Sequence, residues 1–380
     1  MHLNSIHLRN NREWVNQLLS WYDLYKRDFP WRRNISTYHT WICEVMSQQT
    51  TMAVVVPRFQ AFVETLPDLP ALADVSDEVL RELWAGLGYY ARARNLRAGA
   101  QYIVKERNGC FPESYEDWLK VPGVGPYTAS VIASICFSIP KACVDGNVIR
   151  VIARLTNCTA LGLWTDEGRL AVQQVVDASI EKERPGDFNQ AMMELGATVC
   201  QKQSPDCLHC PIQNYCLAYS QMNVGMCPPN KPRKDFVDVR VLALQFHRPT
   251  SDSGMQDHHL LVERASGFLS GTLGFPLLRC APGRSPESYV EELAKCSGVD
   301  QVFIEQQSIL HTITNHRLNL NVVRVCLASH DSVHSTDADP VAEILESCRI
   351  PVGSSIWVSK SHARKSLASS LDRKIWEKIS

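Results

Sequence analysis

The run Val121-Pro122-Gly123-Val124-Gly125-Pro126-Tyr127-Thr128-Ala129 decides how the first half of this chain is read. Gly123 and Gly125 let the backbone turn sharply and approach another molecule closely, since neither has a Cβ. The amides that follow open a helix continued by the apolar run Ala129–Phe137, and a helix N-terminus favours a phosphate. A bare Gly-x-Gly between helices is more often a turn with no ligand. The longer string shifts the reading to a hairpin between two helices that grips a nucleic-acid backbone without reading bases.

On either side of this hairpin, apolar residues recur at three-to-four spacing in Trp14–Tyr25, Thr40–Phe62, Val79–Leu87, Leu96–Val104, Val148–Leu155 and Leu170–Ile180. Pro67-Asp68-Leu69-Pro70 and Asn108-Gly109 punctuate them. The segment Cys227-Pro228-Pro229-Asn230-Lys231-Pro232-Arg233-Lys234 cannot continue a helix and reads as a linker. Beyond it, Val237–Phe246, His259–Glu263, Ser308–Thr314 and Leu318–Ala328 are short β-branched or alternating runs, with one helix over Glu287–Cys296. Ser329–Pro340 reads as a polar loop. The expected organisation is a mainly α domain over residues 1–220, a linker over 221–236 and a smaller α+β domain over 237–380.

Bulk composition narrows the class without naming a function. The 380 residues are 45% hydrophobic and 21% charged, which suits two globular domains and excludes a disordered chain. A net charge of −1 means that any nucleic-acid contact rests on local patches. Met1–Arg12 has no apolar signal-peptide core, and no run is long enough to span a bilayer. Ten of the fourteen cysteines are scattered, and Cys43, Cys136 and Cys326 sit in apolar runs as buried thiols do. Four are tightly spaced, which fits an intracellular metal site better than a disulfide framework.

Those four form Cys200-x6-Cys207-x2-Cys210-x5-Cys216. Four thiolates satisfy either a [4Fe–4S] cluster or a tetrahedral zinc, and the short uneven spacing tilts the reading towards iron–sulfur. Two acids also stand out. Asp145, in Val144-Asp145-Gly146-Asn147-Val148, precedes an apolar helix, where the commonest role is an N-cap. A carboxylate there could also face a sugar cation on DNA fixed by the hairpin. Glu44, in Trp41-Ile42-Cys43-Glu44-Val45-Met46-Ser47-Gln48-Gln49-Thr50, lies among apolar neighbours with Gln48 one turn on. An isolated helical Glu usually faces solvent; burial would raise its pKa into general-acid range. From residues alone the reading stops at a helical DNA-binding protein with a metal cluster.

Taken together, the hairpin, Val144-Asp145-Gly146-Asn147-Val148 and the cysteine loop resemble the endonuclease III superfamily of DNA glycosylases. Within it, Pro30-Trp31-Arg32, the Glu44 segment, Gly86-Leu87-Gly88-Tyr89-Tyr90-Ala91-Arg92-Ala93-Arg94-Asn95-Leu96 and Phe188-Asn189-Gln190-Ala191-Met192-Met193-Glu194-Leu195-Gly196 are similar to the MutY branch. The resemblance covers about the first 220 residues. It implies a helix–hairpin–helix glycosylase fold, a [4Fe–4S] cluster on the four cysteines, and removal of adenine mispaired with 8-oxoguanine or guanine in double-stranded DNA. Relatives that also cut the strand carry a hairpin Lys as Schiff-base nucleophile; here that position is Tyr127, whose phenol cannot form one. This weighs against an endonuclease III-like pyrimidine-lesion lyase. The paired acids weigh against a non-catalytic lesion-binding protein.

The resemblance also assigns residues. It gives Glu44 as the acid that protonates the departing base, Asp145 as stabiliser of the sugar cation, and Tyr127 and Asn147 as their positioners. Trp31, Arg32 and Gln190 would line the adenine pocket. Gln48, Gln49, Thr50, Leu87, Tyr89, Gly123 and Gly125 would meet DNA. The C-terminal half resembles, more weakly, the MutT/Nudix-like domain that detects 8-oxoguanine. Glu263-Arg264, Gly267-Phe268-Leu269-Ser270-Gly271 and Phe275-Pro276 keep that outline. The usual Trp-Glu is Leu273-Gly274 here, and the Phe-Ser/Thr-His signature survives only as Ile313-Thr314-Asn315-His316. Thr314 and His316 are the implied lesion contacts. No ordered Glu array of a pyrophosphohydrolase is present, so the domain is expected to read lesions, not hydrolyse nucleotides. A monomer with no membrane contact is expected, in a bacterial-type cytoplasm, or in the nucleus of a eukaryote.

Overall fold

The computed structural model describes residues 3–5, 8, 12–232, 235–248, 258–328, 340–367 and 369–379. Their contacts divide the chain into two compact units, Met1–Leu87 with Arg92–Pro232, and Arg233–Ser380 with Gly88–Ala91. Among the described residues no helix is long and apolar enough to cross a membrane.

The first unit is helical. Its elements begin with α1 (Glu13–Tyr25), α2 (Pro30–Arg33), α3 (Thr37–Ser47), α4 (Met52–Thr65), α5 (Leu69–Asp74), α6 (Asp77–Leu83) and α7 (Ala91–Glu106). They continue with α8 (Tyr115–Trp118), α9 (Pro126–Phe137), α10 (Gly146–Leu155), α11 (Asp166–Ser179), α12 (Pro185–Thr198) and α13 (Leu217–Ser220). One core joins Trp14, Leu18 and Tyr22 of α1 to Val148 and Ile152 of α10, Val172 and Val176 of α11, and Phe188 and Leu195 of α12. α10 is strongly one-sided: seven of its ten residues are buried, as its apolar spacing predicts.

The expected helix over Thr40–Phe62 is corrected to two helices. α3 stops at Ser47 and α4 starts at Met52, because Gln49 takes a left-handed φ of 57° that a helix cannot absorb. Arg92 holds the break open: its guanidinium donates to the carbonyls of Val45 at 2.6 Å and Met46 at 3.0 Å, which a continuing helix would use itself. Val79–Leu87 likewise shortens to α6, and the punctuation at Pro67–Pro70 contains the start of α5, capped by Asp68.

The second unit is α+β. Its sheet contains β1 (Val237–Arg248), β2 (His258–Arg264), β3 (Leu273–Gly274), β4 (Leu277–Arg279), β5 (Val299–Ile304), β6 (Ile309–Ile313), β7 (His316–Leu327) and β8 (Val352–Ser359). β1 and β7 run parallel from Val237↔His316 to His247↔Cys326 and form its spine, while the other pairings are antiparallel. Both faces are covered. α14 (Pro286–Leu293) and α15 (Pro340–Ser347) pack on one, α16 (Lys360–Ser366) and α17 (Ser370–Ile379) on the other. Alternation along β1 sends Leu242, Leu244 and Phe246 to the first layer and Val239, Val241 and Ala243 to the second. The single helix expected here is thus corrected to four. The loop expected at Ser329–Pro340 lies, up to residue 339, outside the described residues, as do Arg233 and Lys234 of the expected linker.

Candidate active site

The hairpin delivers what its glycines allow. Gly123 has φ 80°, and a Cβ there would stand 2.5 Å from the Cβ of Asn95, so the turn accepts only glycine without repacking. Gly125 is the N-cap of α9, whose second residue is Tyr127.

Helices α2, α3, α9, α10 and α12 enclose one cavity of about 450 Å³. Glu44, Asp145, Tyr127, Asn147, Trp31, Arg32, Gln190, Gln48, Gln49 and Thr50 all line it. Residues as far apart in sequence as Trp31 and Gln190 therefore meet at one place.

Glu44 projects from α3 into this cavity. Loss of solvation and the neighbouring Asp145 carboxylate push its pKa from 4.5 to about 7, against the opposing pull of Arg32 and a hydrogen bond with Tyr127. The phenol itself is held protonated, since burial raises its pKa further, and it donates to Met193 Sδ at 3.1 Å. Asp145 caps α10: Oδ1 accepts from the Val148 amide at 2.8 Å, and Oδ2 from Asn147 Nδ2 at 2.9 Å. Burial raises its pKa, while those two donors and the helix amides oppose the rise. The capping reading of Asp145 is therefore correct, and the capped carboxylate still faces the cavity. A buried acid inclined to keep its proton beside a hydrogen-bonded carboxylate is the arrangement that lets two carboxyls take different roles.

Two further residues, not singled out from sequence, organise the pocket wall. Glu194 is buried and pairs with both Arg27, at 2.5 Å, and Arg32, at 2.9 Å. Arg32 also donates to Gln190 Oε1 at 3.1 Å, so its guanidinium is fixed in the wall. Phe29 stacks on Trp31 with centroids 5.0 Å apart and lies against both guanidinium groups. Glu194 stands one helical turn after Gln190, a spacing that could have flagged it; Arg27 carried no such signal. Gly196 permits the approach of α12, as a Cβ there would lie 2.6 Å from Asn147 Cβ.

Gln49 and Tyr89 share a feature that sequence does not reveal. Both are exposed and left-handed, with φ of 57° and 47°. Arg92 Nη2 donates to Thr50 Oγ1 at 3.3 Å, just after Gln49, and to the Leu87 carbonyl at 2.8 Å, two residues before Tyr89. Leu87 differs from these two: its side chain is buried at 4% exposure and packs inside the domain. In the second unit Thr314 is exposed on the β6–β7 turn with φ 53°, and His316 meets the Phe268 ring edge-on at 5.3 Å.

Cys200, Cys207, Cys210 and Cys216 line one small cavity beside α10. Burial, with mutual repulsion among the four, raises Cys210 to about 12 and Cys216 to about 11. Arg154 is buried and donates to Cys200 Sγ at 3.2 Å and to the carbonyls of Gln201, Lys202 and Cys227. Arg150 donates to the Cys200 carbonyl, the Gly196 carbonyl and Asn147 Oδ1. Among the described residues no three of His, Cys, Asp and Glu converge as they would on a single ion.

This geometry can be set beside known proteins. Residues 42–162 match the HhH-GPD superfamily of base excision DNA repair proteins. The adenine DNA glycosylase of Mus musculus is 33% identical over 87% of this chain and 73% of its own length. That of Schizosaccharomyces pombe is 36% identical over 73% of this chain and 72% of its own. Among solved structures, a thermostable thymine-DNA glycosylase superposes with a TM-score of 0.52 at 24% identity, over 56% of this chain and 97% of that one, a likeness of fold. With most of the sequence aligned to relatives in a mammal and a yeast, the chain belongs to the adenine DNA glycosylase family.

Proposed function

We propose that the protein is a monofunctional glycosylase that flips adenine out of duplex DNA, opposite 8-oxoguanine or guanine, and hydrolyses its N-glycosidic bond. The observation that carries this reading is the pairing, in one cavity, of Glu44 with its pKa near 7 and the capped carboxylate of Asp145. An enclosed acid cannot reach a base that is still stacked, so the nucleotide must leave the helix first. The exposed left-handed residues Gln49 and Tyr89 enter the duplex and offset the lost stacking. Gln48 and Thr50 support Gln49, while Gly123 and Gly125 hold the phosphate backbone.

In the pocket, Trp31 offers a ring face and Arg32 and Gln190 offer polar edges to adenine. Protonated Glu44 donates to the base as the C1′–N9 bond breaks with its electron pair passing to adenine, since a neutral base leaves more readily than an anion. Asp145 stabilises the oxocarbenium-like sugar until water adds at C1′ and its proton returns to a carboxylate. Tyr127 and Asn147 hold the two acids in place. With no lysine at position 127, the abasic strand stays intact.

The four cysteines fit a [4Fe–4S] cluster. All four line one small cavity beside the cation of Arg154, and four thiolates so gathered can each bind a different iron of a cluster. Such a cluster would supply four iron–sulfur bonds that fix the loop, and base removal needs no electron from it. In the second unit, Thr314 and His316 read the oxidised guanine, which makes this MutT-like unit a lesion reader. We place the enzyme on DNA as a monomer, in the cytoplasm or, in a eukaryote, the nucleus.

The test is single-turnover release of adenine from a duplex with adenine opposite 8-oxoguanine, half of each sample receiving hot alkali. Cleavage only after alkali is expected. Cleavage without alkali means a missed lyase nucleophile, and none in either half refutes the adenine assignment. Replacing Thr314 and His316 by Ala should reduce the preference for 8-oxoguanine over guanine; equal loss on both duplexes rejects the reader role.

A further inference from the structure

The second unit holds a cavity of about 1150 Å³, more than twice the size of the catalytic one. β4, which among the described residues pairs with β1 alone, forms part of its wall. Phe268 and His316, ring edge to ring face, form an aromatic corner in its lining. Arg279 from β4, Arg284 from the loop before α14 and Arg349 from the turn after α15 also line it. Three separate segments thus bring a guanidinium to one space.

The charges in that space do not cancel. Arg264 is neutralised by the buried Asp372 carboxylate. Arg284 is paired with Glu292 and lies 3.9 Å from the centroid of the Tyr289 ring, which fixes it in the wall. Arg279 and Arg349 are exposed and form no ion pair among the described residues. Among the described residues Glu292 is the one acid in the lining. Two positive charges are therefore left over, which matches the dianion of a phosphate monoester better than the single charge of a backbone diester. Guanidinium forks suit phosphate oxygens, and rings suit a base that needs a stacking surface.

We propose that this cavity binds a nucleoside phosphate monoester, its phosphate on Arg279 and Arg349 and its base against Phe268 and His316. Among the described residues the one acid in the lining, Glu292, is paired with Arg284, and the proposal is of binding. The monoester has two sources, a free deoxynucleotide or the phosphorylated 5′ end of a DNA strand. The inference shares His316 with the proposed lesion reader and rests on that reading only there, since its charge comes from Arg279 and Arg349, outside that turn.

The test is calorimetric titration of the full-length protein with dGMP, deoxyguanosine and inorganic phosphate, and with a trinucleotide bearing a 5′-phosphate or a 5′-hydroxyl. The nucleotide should bind roughly tenfold or more tighter than either deoxyguanosine or phosphate. Joint replacement of Arg279 and Arg349 by Ala should weaken it by roughly tenfold or more, with adenine release unchanged. Binding of dGMP identifies a free nucleotide as the source. Binding of the phosphorylated trinucleotide alone identifies a strand end, and either supports the site. No binding of any monoester, phosphate binding as tightly as dGMP, or full binding by the double variant would overturn the proposal. Loss of adenine release in the wild type would instead strike the glycosylase reading and leave this one standing.

Discussion

If Glu44 is the acid that protonates the departing base, its ionisation should govern both stability and rate. Its pKa rises from 4.5 to about 7 on folding, chiefly through burial. The folded protein then holds a proton that the unfolded chain releases earlier. The protonated group's contribution is complete below about pH 4.5, declines as pH rises to about 7, and is gone above it. That gap in pKa corresponds to about 3 kcal/mol. Glu44→Gln removes the titration while keeping the shape. Relative to wild type, the variant should therefore gain about 3 kcal/mol between about pH 4.5 and about pH 8, a thermal shift of roughly 6–12 °C for a helical unit of this size. Thermal denaturation followed by helical circular dichroism measures the difference. In parallel, wild-type adenine release should fall about tenfold per pH unit above about pH 7, and should fall again in acid as the Asp145 carboxylate takes up a proton. The variant should release no adenine yet bind duplex within a few-fold. A stability difference that does not change with pH would show that Glu44 is not the buried acid, and an active Glu44→Gln enzyme would sink the mechanism.

Tyr127→Lys should place an amine in the catalytic cavity, and borohydride should then trap a covalent enzyme–DNA adduct that wild type does not form; no adduct means that residue 127 does not face the sugar. Arg92→Met strips hydrogen bonds from the break between α3 and α4 and should lower stability by about 3 kcal/mol, with adenine release falling further than the cavity residues alone would require. Thermal melts and single-turnover rates check both halves of that expectation. Gly274→Ala would put a Cβ 2.4 Å from the Asp372 carboxylate and should destabilise the second unit by about 1–3 kcal/mol; an unchanged urea midpoint would contradict the packing described.

Much of this was legible in advance where one local interaction governs the outcome. The apolar face of α10 and the glycines of the hairpin announce themselves within a few residues. The cysteine spacing does the same for the loop that gathers four thiols around one small cavity. The break between α3 and α4 was hidden, because it depends on Arg92, more than forty residues away in sequence, competing for the carbonyls of Val45 and Met46. Glu194 was missed for a similar reason, since its importance comes from Arg27 and Arg32, which approach from the other end of the domain. The burial of Leu87 was likewise hidden, since the glycines and tyrosines around it read as an exposed turn. In the second unit the short strands were visible, but α15, α16 and α17 follow weak or polar stretches whose burial is set by the sheet they cover.

The Arg264–Asp372 pair changes how the last residues should be regarded. Arg264 lies on β2, whereas Asp372 lies on the final helix and also accepts from the Phe275 amide and Ser369. A premature stop a few codons before Asp372 would remove little mass and no part of the catalytic cavity. It would nevertheless strand a guanidinium inside the sheet domain without its counter-charge, a loss of about 3–5 kcal/mol. A late truncation would then resemble a core mutation, and its phenotype would be loss of folded protein instead of loss of chemistry.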